Sequence, residues 1–152
     1  MKKLYTLILS IVSINCIAQL SISTAGTPVV IDFENTISGV NNGNFDGSGL
    51  QTSPGTGELD SDAWAIEGLS DGDITYGDNS TTGDYAKGIS TGGEFSGGLY
   101  AWDISGDTAI GFQPTGGDWT PGNLTLKVEK NTGGALGSVA LFFSLFINYD
   151  SG

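Results

Sequence analysis

Glycine is what most limits the folds open to this chain. Its 25 glycines recur along the length, often paired or beside Asn, Asp, Ser and Thr, as at Asn42-Gly43, Gly92-Gly93, Gly97-Gly98, Gly116-Gly117 and Gly133-Gly134. Glycine weakens the interior of helices and strands and supplies the positive φ that tight turns need. A chain interrupted this often sustains no helical period, and none is present. What lies between the glycines is short, apolar and β-branched or aromatic. Short strands joined by Gly-rich turns predict an all-β domain, an antiparallel β-sandwich of jelly-roll-like form.

The strands can be placed. In residues 29–34, Val29, Ile31 and Phe33 alternate with Val30, Asp32 and Glu34, the period of two that a half-buried strand shows. Residues 35–62 are dense in Gly, Asn, Asp and Ser, and so long a connection is expected to hold short irregular strands or to be functional. Further strands are expected at 63–66, 99–104 and 108–113. In 124–129, Leu124, Leu126 and Val128 should face the core, with Thr125, Lys127 and Glu129 facing water. Asn131-Thr132-Gly133-Gly134 is a hairpin signal. It leads into 139–147 (VALFFSLFI), expected as a strand buried on both faces. A sandwich seldom closes on such a strand without a partner, so either it pairs back with 124–129 and completes the sheet or, as expected, the domain is incomplete at its C-terminus. Left with an open edge, that strand would drive aggregation or dimerisation.

The first eighteen residues read as a secretory signal peptide. Met1-Lys2-Lys3 is a basic start, residues 4–17 are mostly apolar, and Cys16-Ile17-Ala18 offers a cleavage site before Gln19. The apolar run is short for the roughly 20 residues of a spanning helix. A lipid anchor on Cys16 calls for a small residue before it, where Asn15 stands. The expected product is a secreted, extracellular chain of 134 residues from Gln19, one domain in size, with no membrane contact after cleavage. It holds no Cys, His or Arg.

Three lysines, Lys87, Lys127 and Lys130, then stand against 17 acids, a formal charge of −14. Such a surface repels phosphate backbones, so no nucleic-acid partner is expected. The acidity reads as solubility or as divalent-cation binding.

Without histidine or cysteine, catalytic triads and ordinary zinc sites are excluded. A carboxylate-pair hydrolase needs two acids singled out from the rest, and no motif singles them out. Asp150-Ser151-Gly152 spells an aspartic-protease triplet, read as chance. No motif requires a cofactor. Calcium is the metal that oxygen-rich loops suit. Its candidate ligands are Asn42, Asn44 and Asp46, then Asp60 and Asp62, then Asp71 and Asp73. Asn42 to Gly47 opens like an EF-hand loop but lacks the closing Glu, having Ser53 there. The alternative is that these side chains cap turns. Trp64 and Trp119, beside loops, are the candidate stacking residues for a glycan, with core packing as the alternative.

The middle of the chain carries several separated motifs in order: residues 57–65 (GELDSDAWA), 81–88 (TTGDYAKG), 90–93 (STGG), 98–101 (GLYA), 119–126 (WTPGNLTL) and 131–133 (NTG). In that order they resemble the N-terminal module of large secreted proteins of Bacteroidetes-type bacteria, exported by the type IX system. The resemblance spans roughly residues 29–135. It implies a β-sandwich module that precedes other domains and a C-terminal sorting signal, and it places no catalytic residue. The expected function is therefore that of a non-catalytic, structural or accessory part of a larger exported protein. The other readings are a module binding extracellular glycan or another surface, stiffened by calcium, and a carboxylate-pair hydrolase.

Overall fold

The computed structural model describes residues 19–119 and 121–147. The leader 1–18 with Cys16, and the Asp150-Ser151-Gly152 triplet, lie outside the described residues. Among the described residues the chain is all-β: short strands, one 3-10 turn at Gly83–Tyr85 and no α-helix. The strands are β1 (Leu20–Ile22), β2 (Leu50–Gln51), β3 (Leu59–Asp60), β4 (Trp64–Ile66), β5 (Ile89–Ser90), β6 (Gly98–Ile104), β7 (Asp107–Gln113), β8 (Leu124–Leu126) and β9 (Val128–Lys130).

They form small sheets: β1 with β9, β2 with β3, β4 with β8, and a three-stranded sheet in the order β5-β6-β7. The expectation of uniformly antiparallel pairing is corrected. β4–β8 and β6–β7 are antiparallel, but β1–β9, β2–β3 and β5–β6 are parallel. The parallel pairs are two or three residues long. They join segments that the loops carry together, whereas β6–β7 is a true hairpin in seven-residue register, turning at Ser105-Gly106 with both residues at positive φ.

One core gathers these pieces. Val40, Phe45, Leu50, Leu59, Ala63, Ile66 and Leu99 are fully buried, and they belong to a single cluster with Leu20, Trp64, Leu69, Ile74, Tyr85 and Ala101. Much of it comes from the glycine-rich stretch 35–62. That stretch folds back on itself, with Asn42 and Gly57 bonding backbone to backbone at 2.7 Å and Asn42 to Glu58 at 3.0 Å. Glycine is required where the coils touch. Gly47 has φ +77°, and a Cβ there would stand 2.3 Å from the carbonyl oxygen of Gly88.

Three strand expectations are corrected. Residues 29–34 form no strand: Val30 is 68% exposed. Asp32 instead accepts bonds from the backbone of Glu34 and Asn35, and Phe33 has positive φ, so a turn wins over the alternating pattern. Residues 124–129 are split at Lys127, whose N–H bonds to Ala63 O at 2.8 Å, and Val128 faces outward beside β1. Residues 139–147 are neither buried nor paired. They carry no strand ladder, and their large side chains are 61–90% exposed.

Candidate binding cleft

The hairpin β6–β7 has two faces because successive strand side chains alternate. Leu99 and Ala101 of β6 are buried in the core, and Ile110 and Phe112 of β7 pack against it. On the other face stand Tyr100, Trp102 and Ile104, opposite Gly111, Ala109 and Asp107. A Cβ on Gly111 would meet Cδ1 of Trp102 at 2.6 Å, so the indole lies directly on bare backbone. Tyr100 and Trp102 are in contact, with ring centroids 5.3 Å apart.

Within the described residues β7 pairs only with β6, leaving its other edge without a ladder partner. An open cleft of about 1520 Å³ runs at this edge. Its walls include β7 from Ala109 to Gln113, the rings of Trp102 and Trp119, Leu124, and residues 144–147. The cleft thus joins the free edge of β7, the hairpin turn with residues 93–95, and the apolar residues 144–147.

The two candidate stacking residues separate. Trp64 is buried, with its indole N–H donating to Val40 O at 2.9 Å and its ring against Phe33, so it forms no exposed platform. Trp119 is half-buried against Phe112, with centroids 4.5 Å apart, and lines the cleft. Trp102 joins it there. A strand over 99–104 was expected from the sequence, but nothing there showed that Gly111 would leave room for the Trp102 indole.

The candidate calcium ligands lie in separate turns, each bonded to its own surroundings. Asn42 donates to Pro54 O at 2.8 Å, and Asn44 accepts from the Thr108 hydroxyl at 2.9 Å. Asp46 accepts from the N–H and hydroxyl of Ser48. Asp60 caps the N–H of Asp62 at 3.0 Å. The Asp62 carboxylate is half-buried near Gly77. Asp71 accepts from Asp84 N–H at 2.8 Å, and Asp73 accepts from Gly68 N–H at 2.9 Å. Among the described residues no group of three or more Asp or Glu side chains is placed to hold a metal ion.

A cluster that sequence reasoning missed ties the 3-10 turn to the loop after β7. Asp84 is buried and accepts from the Ser70 hydroxyl at 2.6 Å and from Lys87 Nζ at 3.1 Å. Asp118 accepts from the Thr115 hydroxyl at 2.6 Å and from Gly97 N–H at 3.2 Å. Burial opposes ionisation of Asp84. The donors Ser70 and Lys87, the lysine charge and the Asp71 N–H together outweigh it, so its carboxyl lies below the usual range. Thr115 and Gly97 hold Asp118 low as well. Tyr85 is pushed up to about 12 by burial and then by Asp73, Asp71 and Asp84, and its hydroxyl donates to Gly72 O. The signal for this cluster was Asp84 three residues before Lys87. Its partners Ser70 and Asp118 are far away in sequence.

No helix among the described residues is long and apolar enough to cross a membrane. No family model matches the chain, and neither a curated protein nor a solved structure matches it.

Proposed function

We propose that this chain is a non-catalytic β-sandwich module of a larger exported protein, with a structural or accessory role toward the parts it adjoins. The single observation that carries this reading is the apolar cleft at the β7 edge, flanked by the exposed side chains of 139–147. A surface of that size and polarity is suited to further protein. The sandwich itself is supported by one core cluster that draws on β4 and on β6. The exported setting rests on the leader 1–18, and the type of parent protein rests on the order of motifs through residues 57–133.

The electrostatics favour this over hydrolysis. A carboxylate-pair hydrolase needs an accessible acid that holds its proton near neutral pH. Asp84 and Asp118 are held low instead. Asp60, which burial pushes up, is enclosed in the core region with a cap to Asp62.

A second reading keeps one observation of its own. Trp102, Phe112 and Trp119 bring three aromatic rings to the cleft, and flat apolar rings stack on sugar faces. Titrating extracellular glycans against tryptophan fluorescence tests it, and Trp119→Ala should abolish any change seen. The structural reading is tested by the intact mass of the protein in the culture medium. A mass well above that of residues 19–152 is expected. A mass equal to that of residues 19–152, or retention inside the cell, would overturn it.

A further inference from the structure

We propose that two copies of this chain exchange their 139–147 segments, each adding as a strand to the free edge of the other's β7. The proposal rests on the reading of the cleft as a protein-docking surface and names its occupant.

Each copy carries one half of the fit twice over. Beyond Thr108, whose N–H donates to the Glu34 carboxylate at 3.4 Å, the edge of β7 has no ladder partner among the described residues, and such an edge is a template for strand addition. Residues 139–147 form no strand of their own; as an added strand they would set Val139, Leu141, Phe143, Leu145 and Ile147 on one face and Ala140, Phe142, Ser144 and Phe146 on the other. A strand of this composition suits a position between two layers rather than a solvated edge. Within one copy, residues 144–147 form a wall of the cleft without occupying it. A second copy's segment fills the space between that wall and β7, and the exchange is reciprocal, as a two-fold axis requires.

Area and charge agree. Seven large apolar side chains of the segment are 61–90% exposed, presenting on the order of 1,000 Å² per copy. A stable interface of standard size takes about 800 Å² from each partner. The chain as a whole is strongly acidic, which opposes self-association. Yet no charged residue lies between Lys130 and Asp150, nor between Asp107 and Asp118. The segment and β7 beyond Asp107 are uncharged, while Glu94 and Asp103 stand elsewhere in the cleft lining. The connection between β9 and the segment, residues 131–138, contains Gly133, Gly134 and Gly137, each with open space around it. Eight residues reach at most about 29 Å, enough to pass from one copy to its neighbour.

Light scattering on the secreted protein, with hydrogen exchange across β7, tests this. The expected result is twice the mass of one polypeptide, with slow exchange at the β7 amides that do not face β6. The double variant Leu141→Glu, Leu145→Glu should halve the mass and release those amides. Both side chains are at least 76% exposed in a single copy, so the core is untouched, and an unchanged near-ultraviolet spectrum verifies that. Val30→Glu, on an exposed residue outside the cleft, should leave the doubled mass in place. A monomeric wild type overturns the proposal, whether or not β7 is protected by its own chain. So does a dimer whose β7 amides exchange fast, or one that survives the double variant. The mass of the secreted polypeptide tests the structural reading separately, because a longer monomer would leave that reading standing and sink this one.

Discussion

The loops at 35–62 and the hairpin β6–β7 with its neighbour 139–147 invert the usual relation between regular structure and core. The first region has strands of only two residues, yet Val40, Phe45, Leu50 and Leu59 are fully buried there. The second has the longest strands among the described residues and a strongly apolar segment, yet only the start of β6 is buried, through Leu99, Tyr100 and Ala101, while Trp102, Ile110 and Phe112 are half-buried and 139–147 stands open. The difference lies in what satisfies the backbone. In the loops, side chains of Asn41, Asp46 and Glu58 bond to nearby backbone, so coil can be buried with its backbone groups largely paired, at the cost of Asn41 Oδ1 and the Ser61 hydroxyl, which are buried without a partner. At β7 an edge remains unpaired, and apolar surface collects beside it. Burial here follows the polar accounting, not strand length.

The sharpest way to break that comparison is to truncate one phenylalanine in the loop core and one in the exposed approach to β6. Phe45→Ala should cost about 3–5 kcal/mol in chemical denaturation, as for a large side chain removed from a packed core. Phe95→Ala, at a residue 95% exposed, should stay within about 0.5 kcal/mol. Similar costs at both sites would mean the loop core is not a core. Next in size is Trp64→Phe. It removes the indole donor to Val40 O, which keeps the Asp60 N–H at 2.9 Å, and should cost about 1.5 kcal/mol, the loss of one buried hydrogen bond. Gly47→Ala follows. Its positive φ and the approach to Gly88 predict a loss of more than about 1 kcal/mol, whereas Gly134→Ala, in open space outside the core, should lose less. Equal losses would show that the coils of the first region do not depend on close backbone contact.

The legible part of this fold was its class and its two long strands, whereas the hairpin signal at 131–134 leads into no second strand among the described residues. The strands expected at 99–104 and 108–113 correspond to β6 and β7 because each has the other as its partner, two residues away across a turn. The alternation at 29–34 misled, because Asp32 found local backbone donors that a period-of-two pattern does not register. For 139–147, composition described the segment's need for cover but not whether cover lay within reach. The candidate ligands were legible as turn residues or as metal ligands alike, since Asp46 and Asp60 use the same oxygens for either role, and only the positions of Ser48 and Asp62 N–H show which bonds they make. Trp64 and Trp119 looked equivalent in sequence because both stand beside loops. The backbone of Val40, 24 residues away, draws only one of them inside.

The smallest effect contrasts two buried aspartates that respond to acid with opposite sign. Asp84 has its folded-state pKa lowered, so its stabilising contribution is complete above the unfolded value near 3.8 and is lost as pH falls through the folded one. Asp60 has its pKa raised, first by burial, with the N–H of Asp62 pulling the other way and the Asp62 charge adding to the rise. Between the unfolded and folded values the native state binds more protons than the unfolded chain, so this group disfavours folding progressively as pH climbs through that window and its penalty is full at neutrality. Asp60→Asn keeps an oxygen for the Asp62 N–H and removes the buried charge. It should therefore raise stability at pH 7 by less than about 1 kcal/mol, with the gain fading below pH 3.8. Asp84→Asn should instead lower stability at pH 7, because Lys87 loses its anion, and flatten the decline in acid. Thermal melts of both variants from pH 3 to pH 7 read the two slopes. If Asp60→Asn destabilises at pH 7, its carboxylate makes a bond to the loop region that outweighs its burial, and the loops would then owe their packing to charge as much as to neutral turn bonds.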